Sequence, residues 1–462
     1  MRIKLNIPIR IEEIESILGR LNRAFDTPDH TITHISTDSR ICEKGDLFFA
    51  IRGAKFDGND FTEEALRKGS LCVADNSTLS HIKVTDTTDS LLILATYYKS
   101  RLRTLKKTIA ITGSVGKSST KEFLKRIASQ SFVTHANVGN YNNAIGLAHT
   151  IFTMPITTEC LICELGMNHL GEIERMSKCI APDVGIITSI GTSHLGNLGS
   201  REAIAKAKSE ITCGMTNGFT IIPYNEPLLF ELNNSIKTAY NAETSLSQFI
   251  LQKRSYQLYD YVHPNGTIQN LSIKLSGDHM LSNISKAIAA SLLLNISEDK
   301  IRIGAASIKE SDLRQRFIRT CDYTIFDDSY NASYESIAAD LIYLRERFPH
   351  SRIGAFLGDI AELGDMSESI HTDIGRLIPQ FNVCNLYLIG SYANYVAKGA
   401  IDAGFDESHV FINERLCDHD LSIKQITENH LSGEIILFKG SHSSRLYEIA
   451  DAISKKGRYK ND

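Results

Sequence analysis

The chain has 462 residues, 42% hydrophobic and 23% charged, a balance that suits a folded protein of several domains better than a single core. Its formal net charge of −4 excludes the overall basic field that favours nucleic acid, and no apolar run reaches the roughly 18 to 20 residues of a membrane span. Nine scattered cysteines, an odd number, argue against a disulfide scaffold.

The first block, residues 1–103, opens on MRIKLNIPIRIEEIESILGRL. This stretch lacks the apolar core of a signal peptide, so the expected compartment is the cytoplasm. Its Ile and Leu spacing predicts a short strand followed by an amphipathic helix. The block closes in the helical stretch DSLLILATYYKSRL.

The second block, residues 104–312, begins TIAITGSVGKSSTKEFLKRIA: a β-branched strand, a glycine loop, then a helix. Further strand signals follow in CLICEL, VGIITSI and GFTIIPY, alternating with helical patterns such as REAIAKAKSEITCGM and SNISKAIAASLLL. That alternation predicts a mainly parallel sheet covered on both faces. Cys160 and Cys163 form a C-x-x-C within the first of these strands. Residues three apart on a strand point to opposite faces, so the two thiols are expected in core packing and not in a metal or redox pair.

The third block, residues 313–462, repeats the rhythm with TIFDDSY, RIGAFLGD, NLYLIG and EIILFKG, and predicts a second, smaller doubly wound sheet.

The sharpest local signal is Gly113-Ser114-Val115-Gly116-Lys117-Ser118-Ser119. Glycines let the backbone wrap phosphates with amide N–H groups inward, and the following helix N-terminus adds a positive dipole end. Lys117 can reach β and γ phosphates, and Ser118 can hold Mg²⁺. The spacing departs from G-x-x-x-x-G-K-[ST], because a glycine three before the Gly-Lys pair replaces the one five before it. The strand before and the helix after supply the right context.

Taken with Thr112, this loop resembles the ATP loop of the Mur ligase family. Other segments follow in that family's order. They are Gly139 to Gly146 (GNYNNAIG), Glu164 to His169 (ELGMNH), Gly191 to His194 with IAKAKSEI at 204–211, and Gly277 to Asn283. Asp327 to Ala332 (DDSYNA), Gly358-Asp359 with Glu362-Leu363-Gly364, His371 and Lys439-Gly440-Ser441 complete the series. In the first block, Asp38-Ser39-Arg40, Gly45 to Phe48 and Asp57-Gly58 are similar to the family's uridine-nucleotide domain. The D-D-S-Y-N-A run is the most specific. It points to the branch that adds D-Ala-D-Ala to UDP-MurNAc-tripeptide, and the D-N-P-R motif of the diaminopimelate-adding branch is absent.

The resemblance implies a three-domain α/β fold. Residues 1–103 form a uridine-nucleotide-binding domain for UDP-MurNAc-peptide. Residues 104–312 form a central P-loop-type parallel-sheet ATPase domain, and residues 313–462 a Rossmann-like domain that closes on the nucleotide and brings the dipeptide. It implies an ATP- and Mg²⁺-dependent ligase of peptidoglycan precursor biosynthesis, working through an acyl phosphate, and a monomer.

It also implies roles for single residues. Gly113, Ser114, Gly116, Lys117, Ser118, Ser119, Asn283, Arg316 and Asp328 would hold ATP, with His371 also reaching the nucleotide. Ser118, Glu164, His194 and Lys208 would hold Mg²⁺. Ser39, Arg40, Asn140, Asn142 and Asn143 would face the UDP-sugar substrate. Lys117, His194 and Lys208 would be the catalytic set, with a carbamate on Lys208. The helix pattern bears on that last point: Ala203, Ile204, Ala207 and Ile211 make an apolar face, Lys208 sits at its edge and Lys206 on the solvent side.

Departures at Ala144, Ala148, Met280, Gln315, Ser333 and Tyr334 leave the exact incoming amino acid or dipeptide open. Lysine against diaminopimelate at the third peptide position is open as well. Two rival readings stand beside the first. One is a paralogue adding a different amino acid or depsidipeptide. The other is an inactive nucleotide-binding regulator, against which Lys117, Glu164, His194 and Lys208 speak.

Overall fold

A computed structural model describes residues 1–20, 31–53, 56–240, 248–309, 316–415 and 418–458. Three sheets form in chain order. The first contains β1 (Arg2–Arg10), β2 (Thr31–Ser36), β3 (Leu47–Phe49), β4 (Leu71–Ala74) and β5 (Ile82–Lys83), in that spatial order. β1 and β2 are antiparallel and the remaining pairs parallel. The predicted N-terminal strand and helix form as β1 and the helix Ile11–Leu18.

The register of β1 against β2 shifts between Lys4 and Ile9. The Tyr98 hydroxyl accepts hydrogen bonds from the backbone N–H groups of Asn6 (3.0 Å) and Ile7 (3.1 Å), satisfying donors that the irregularity leaves without a strand partner. Tyr98 belongs to the helix Thr87–Ser100, and its ring meets Phe152 of the second block edge-on. One apolar core therefore runs unbroken from the first sheet into one face of the second.

The second sheet has nine strands. They are β6 (Lys107–Thr112), β7 (Thr134–Ala136), β8 (Cys160–Glu164), β9 (Val184–Ile187), β10 (Phe219–Pro223), β11 (Ser235–Tyr240), β12 (Phe249–Ser255), β13 (Leu258–His263) and β14 (Gly266–Ser272). The order is β14-β13-β12-β11-β10-β9-β6-β8-β7. From β7 to β12 the pairing is parallel, as predicted, but β12, β13 and β14 form an antiparallel meander absent from the sequence reading. β6 lies between β8 and β9, so the chain leaves it to opposite sides. That reversal opens a crevice at its C-terminal end, where the glycine loop sits. Cys160 packs into the core on one face of the sheet and Cys163 into the core on the other, as residues three apart on a strand must.

The third sheet contains β15 (Arg316–Arg319), β16 (Thr324–Asp327), β17 (Ile353–Gly358), β18 (Val383–Ile389), β19 (Val410–Asn413) and β20 (Ile435–Lys439), in the order β15-β16-β20-β17-β18-β19. Only β15 is antiparallel. The expected boundary at 103/104 falls between the helix Thr87–Ser100 and β6. The one at 312/313 lies outside the described residues, as does Gln315. Among the described residues no helix is long and apolar enough to cross a membrane.

Candidate active site

β6 ends at Thr112 and the helix Lys117–Ala128 begins after only four intervening residues, so the chain turns sharply. Gly113 has φ 147° and Gly116 φ 86°, values that favour glycine. A Cβ on Gly113 would collide with the Thr188 hydroxyl, and one on Gly116 would stand 2.6 Å from Asn283 Oδ1. The loop is also tied to the segment after β9. Val115 N–H donates to Ser189 Oγ (3.0 Å), and Gly191 N–H donates to Ser114 Oγ (2.8 Å). The Lys117 ammonium folds back over the loop and donates to the carbonyls of Gly113 (2.6 Å) and Ser114 (3.2 Å). A cation curled into a backbone cradle marks where anionic phosphate oxygens fit.

Glu164, at the end of β8, is buried, and its carboxylate is held from three sides. Ser118 Oγ donates to Oε2 (2.8 Å), Asn142 Nδ2 donates to Oε1 (3.1 Å), and the Lys121 ammonium lies 3.8 Å from Oε2. Its backbone N–H donates to Asn137 Oδ1 (2.9 Å). Ser118 and Glu164 are therefore a pair of hard oxygen donors beside the phosphate cradle, the chemistry that Mg²⁺ takes. Among the described residues no three His, Cys, Asp or Glu side chains converge as a cage.

Lys208 lies on the helix Arg201–Ser209 and is buried, whereas Lys206 is exposed, in line with the helix pattern. Burial, with the nearby Lys117 charge, pushes the Lys208 amine well below the usual lysine range. It makes no hydrogen bond or ion pair among the described residues. His194 follows β9 and takes φ 67°, the left-handed region. Its Nδ1 lies 2.5 Å from Glu362 Oε2 of the third sheet's domain. The oxygen sits off the N–H axis, so the two are in contact without a well-directed hydrogen bond.

The third sheet faces this cradle with the ends of β16 and β20. Asp328 follows β16 and Lys439 ends β20, and the two are ion-paired. The Lys439 ammonium also lies 2.8 Å from the buried Asp340 carboxylate. Burial would lower Lys439, but the two carboxylates outweigh it and hold its pKa above the usual range. Asp340, buried and beside Asp328, is pushed up to about 8. Glu335 bridges back to the second domain, accepting from Thr192 N–H (2.9 Å) and Thr192 Oγ1 (3.1 Å). The result is a cleft of about 320 Å³ between the second and third domains. Lys117, Ser118, Glu164, Asn283, Asp328 and Lys439 are among its walls.

The sequence-predicted residues divide. Ser114, Gly116, Lys117, Ser118, Ser119, Asn140, Asn142, Glu164, Asn283 and Asp328 meet in the cleft, and Gly113 shapes the loop. Asn142 turns its amide to Glu164, while Asn143 caps the helix Ala144–Phe152, its Oδ1 accepting from Gly146 N–H (2.9 Å). Arg316 points elsewhere: its guanidinium pairs with Asp327 (2.5 Å) and Asp451 (3.2 Å). His371 is buried, accepts from Ile360 N–H (3.0 Å) and stacks on Tyr392, a structural placement. Ser39 and Arg40 line a separate cavity of about 390 Å³ in the first domain, beside Phe48, Phe56 and Phe61. There Ser39 Oγ donates to Glu64 (2.5 Å) and Arg40 pairs with Asp38 (2.8 Å).

The sequence reading missed Lys121, Asn137, Glu335 and Asp340. Lys121 had a signal, since it sits one turn beyond Lys117 on the same helix face. The others are brought in by tertiary contact alone.

Two family profiles match the chain: "Mur ligase middle domain" over residues 111–291 and "Mur ligase family, catalytic domain" over residues 31–91. The UDP-N-acetylmuramoyl-tripeptide--D-alanyl-D-alanine ligase of Bacillus subtilis (strain 168) is 32% identical over 91% of this chain and 93% of its own length. The protein of the same name in Escherichia coli (strain K12) is 29% identical over 98% and 99%. A crystal structure of MurF from Acinetobacter baumannii superposes with a TM-score of 0.85 at 26% identity, covering 98% of this chain and 100% of that one.

Proposed function

The chain belongs to the Mur ligase family, and we propose that it joins D-Ala-D-Ala to UDP-MurNAc-tripeptide at the expense of ATP, in the making of a peptidoglycan precursor. The observation that carries this reading is the cleft in which the phosphate loop and the Ser118–Glu164 pair face the Asp328–Lys439 pair of the D-D-S-Y-N-A and K-G-S segments. The similarity to ligases of this one name runs almost end to end.

A carboxylate must be activated before an amine can attack it. Transfer of the γ-phosphoryl group to the muropeptide carboxylate gives an acyl phosphate and ADP. The dipeptide amine then attacks the carbonyl carbon, loses a proton and expels phosphate. All the groups that meet before transfer are anionic, so the site must supply positive charge without bulk water. The loop amides between Gly113 and Ser119 and the dipole of the following helix receive the phosphates. Lys117 exchanges its carbonyl partners for β and γ oxygens. Asn283, against Gly116, and Asp328 hold the nucleoside end.

Two Mg²⁺ ions, one at Ser118 and Glu164 and a second at His194 and a modified Lys208, would supply further positive charge where the anionic groups meet. The neutral amine of Lys208 adds to the carbon of CO₂ and loses a proton. This leaves a carbamate whose oxygens suit a hard cation where an ammonium would repel it. Asn142 and Lys121 orient Glu164. Ser39 and Arg40 take the uridine nucleotide, and Asn140 faces the muropeptide. The domain limits proposed are 1–103, 104–312 and 313–462. The reading places the enzyme in the cytoplasm as a monomer.

The product decides the reading. Mass spectrometry of a reaction with ATP, Mg²⁺, UDP-MurNAc-tripeptide and D-Ala-D-Ala is expected to show the UDP-MurNAc-pentapeptide. A dipeptide panel including D-Ala-D-Lac is expected to place D-Ala-D-Ala first. Preference for another partner would make the chain a paralogue, and no product with any would favour a nucleotide-binding regulator.

A further inference from the structure

His194 and Glu362 are brought together by two chain segments that would otherwise be unrelated. His194 lies after β9 in the second domain, and Glu362 lies after β17 in the third. Each adopts the left-handed backbone region, His194 at φ 67° and Glu362 at φ 65°. Side chains with a Cβ avoid that region unless surrounding structure imposes it, and such positions gather at functional sites.

The surroundings here are an interdomain seam. Gly196 N–H donates to the Glu362 carbonyl (3.0 Å). Gly196 and Gly364 touch backbone to backbone: a Cβ on Gly364 would stand 2.9 Å from Gly196 Cα, and a Cβ on Gly196 would overlap the Gly364 nitrogen. Leu195 packs against the cores of both domains. The seam fixes the Glu362 carboxylate 2.5 Å from His194 Nδ1.

We propose that Glu362 is a positioning residue: by docking on His194 Nδ1 when the third domain closes, it turns the imidazole Nε2 toward the cation locus of the second domain. The inference rests on the reading of His194 as a cation ligand. An imidazole offers one lone pair at a time. A carboxylate on Nδ1 holds the proton there, leaves Nε2 as the donor atom and fixes the ring's orientation. The oxygen is close but off the N–H axis, so a small closing rotation completes the hydrogen bond. The glycine contact permits that approach, because any side chain at Gly196 would prop the seam open. Domain closure and cation binding are thereby one event: the histidine comes from one domain and its orienting group from the other.

The test is a Mn²⁺ titration read by electron paramagnetic resonance, on the full chain with a non-hydrolysable ATP analogue. Fluorescence labels on the second and third domains report their separation. Glu362→Ala is expected to weaken the His194-dependent Mn²⁺ by about 10- to 100-fold while leaving the other Mn²⁺ unchanged. Glu362→Gln, which keeps an acceptor oxygen but loses the charge, is expected to recover part of that loss. Gly196→Ala touches no ionisable group, and is expected to weaken the same Mn²⁺ and to lengthen the interdomain distance. A merely structural Glu362 would lower thermal stability and leave Mn²⁺ affinity alone.

His194→Ala separates the two claims. If it loses one Mn²⁺ and Glu362→Ala loses none, the positioning role is overturned and the ligand reading stands. If His194→Ala also loses none, both are overturned.

Discussion

Two lysines turned inward behave differently because their surroundings differ. Lys208 lies beside the phosphate cradle, and its burial disfavours the ammonium form. Lys208→Ala is expected to lose most activity, and high bicarbonate or a small carboxylate to restore part of it by supplying oxygens in the vacated space. Turnover like the wild type, or the absence of rescue from every small carboxylate, would count against the carbamate. Lys286 is buried in the helix Asp278–Leu293, donates to the Ser282 carbonyl (3.1 Å) and Oγ (2.7 Å), and is not part of the cleft wall. Burial lowers it to about 7.

The sign of the Lys286 effect follows from linkage. A lysine depressed in the fold contributes stability above its unfolded value near 10.5, and that stability is lost as pH falls through the folded value near 7. The loss by neutral pH is about 4 kcal/mol. Lys286→Met is therefore expected to raise the melting temperature at pH 7, with the gain shrinking as pH climbs toward about 10. Equal melting temperatures across that window would mean that Lys286 finds its charge solvated. The inward turn of Lys208 was legible from helical spacing, since Ile204 and Ile211 define the face and Lys208 lies between them. The burial of Lys286 was not singled out, because Ser and Asn residues share its helix, although that helix is buried along most of its length.

At the scale of elements, the proposed function assigns the nucleotide chemistry to the turn from β6 into the helix Lys117–Ala128. Lys117→Ala should leave the fold intact, because the side chain is only half-buried and donates to the backbone carbonyls of its own loop. Turnover should fall about 10²- to 10³-fold, the usual effect of losing one preorganised electrostatic contact. Retention of more than about a tenth of wild-type kcat would contradict that role. Gly116→Ala meets two obstacles, a positive φ and Asn283 Oδ1 at 2.6 Å. Calorimetry should register weaker ATP binding together with a lower melting temperature. Unchanged nucleotide affinity would show that the loop can open without cost.

Elements of the sheets were legible wherever β-branched runs alternate with helices, as at Lys107–Thr112 and Cys160–Glu164. The antiparallel meander β12-β13-β14 was not, although a hairpin signal is present. His263 pairs with Gly266 across a two-residue loop, Pro264-Asn265, and the run Pro-Asn-Gly is turn-forming. Its strands mix exposed polar and buried residues, as in Phe249–Ser255, and so lack the apolar continuity that marked the parallel strands.

For the whole molecule, the ligase reading depends on three sheets presenting their functional edges to one reaction path. The order of the motifs announced the domains, but their closure is a tertiary matter. Glu335 reaching Thr192, and Glu362 reaching His194, join residues more than a hundred positions apart, and no local pattern pairs them. The same limit explains Arg316. Its motif neighbours suggested the nucleotide, yet antiparallel pairing of β15 with β16 sets Arg316 opposite Asp327, and the guanidinium is taken up there.

The central claim is that one chain uses ATP to join a muropeptide carboxylate to D-Ala-D-Ala. Phosphate release tests it most directly, measured with ATP, Mg²⁺, UDP-MurNAc-tripeptide and D-Ala-D-Ala and with each omitted in turn. Release is predicted only when all four are present, in step with pentapeptide formed. Release with glutamate and a folate but none with the muropeptide would contradict it.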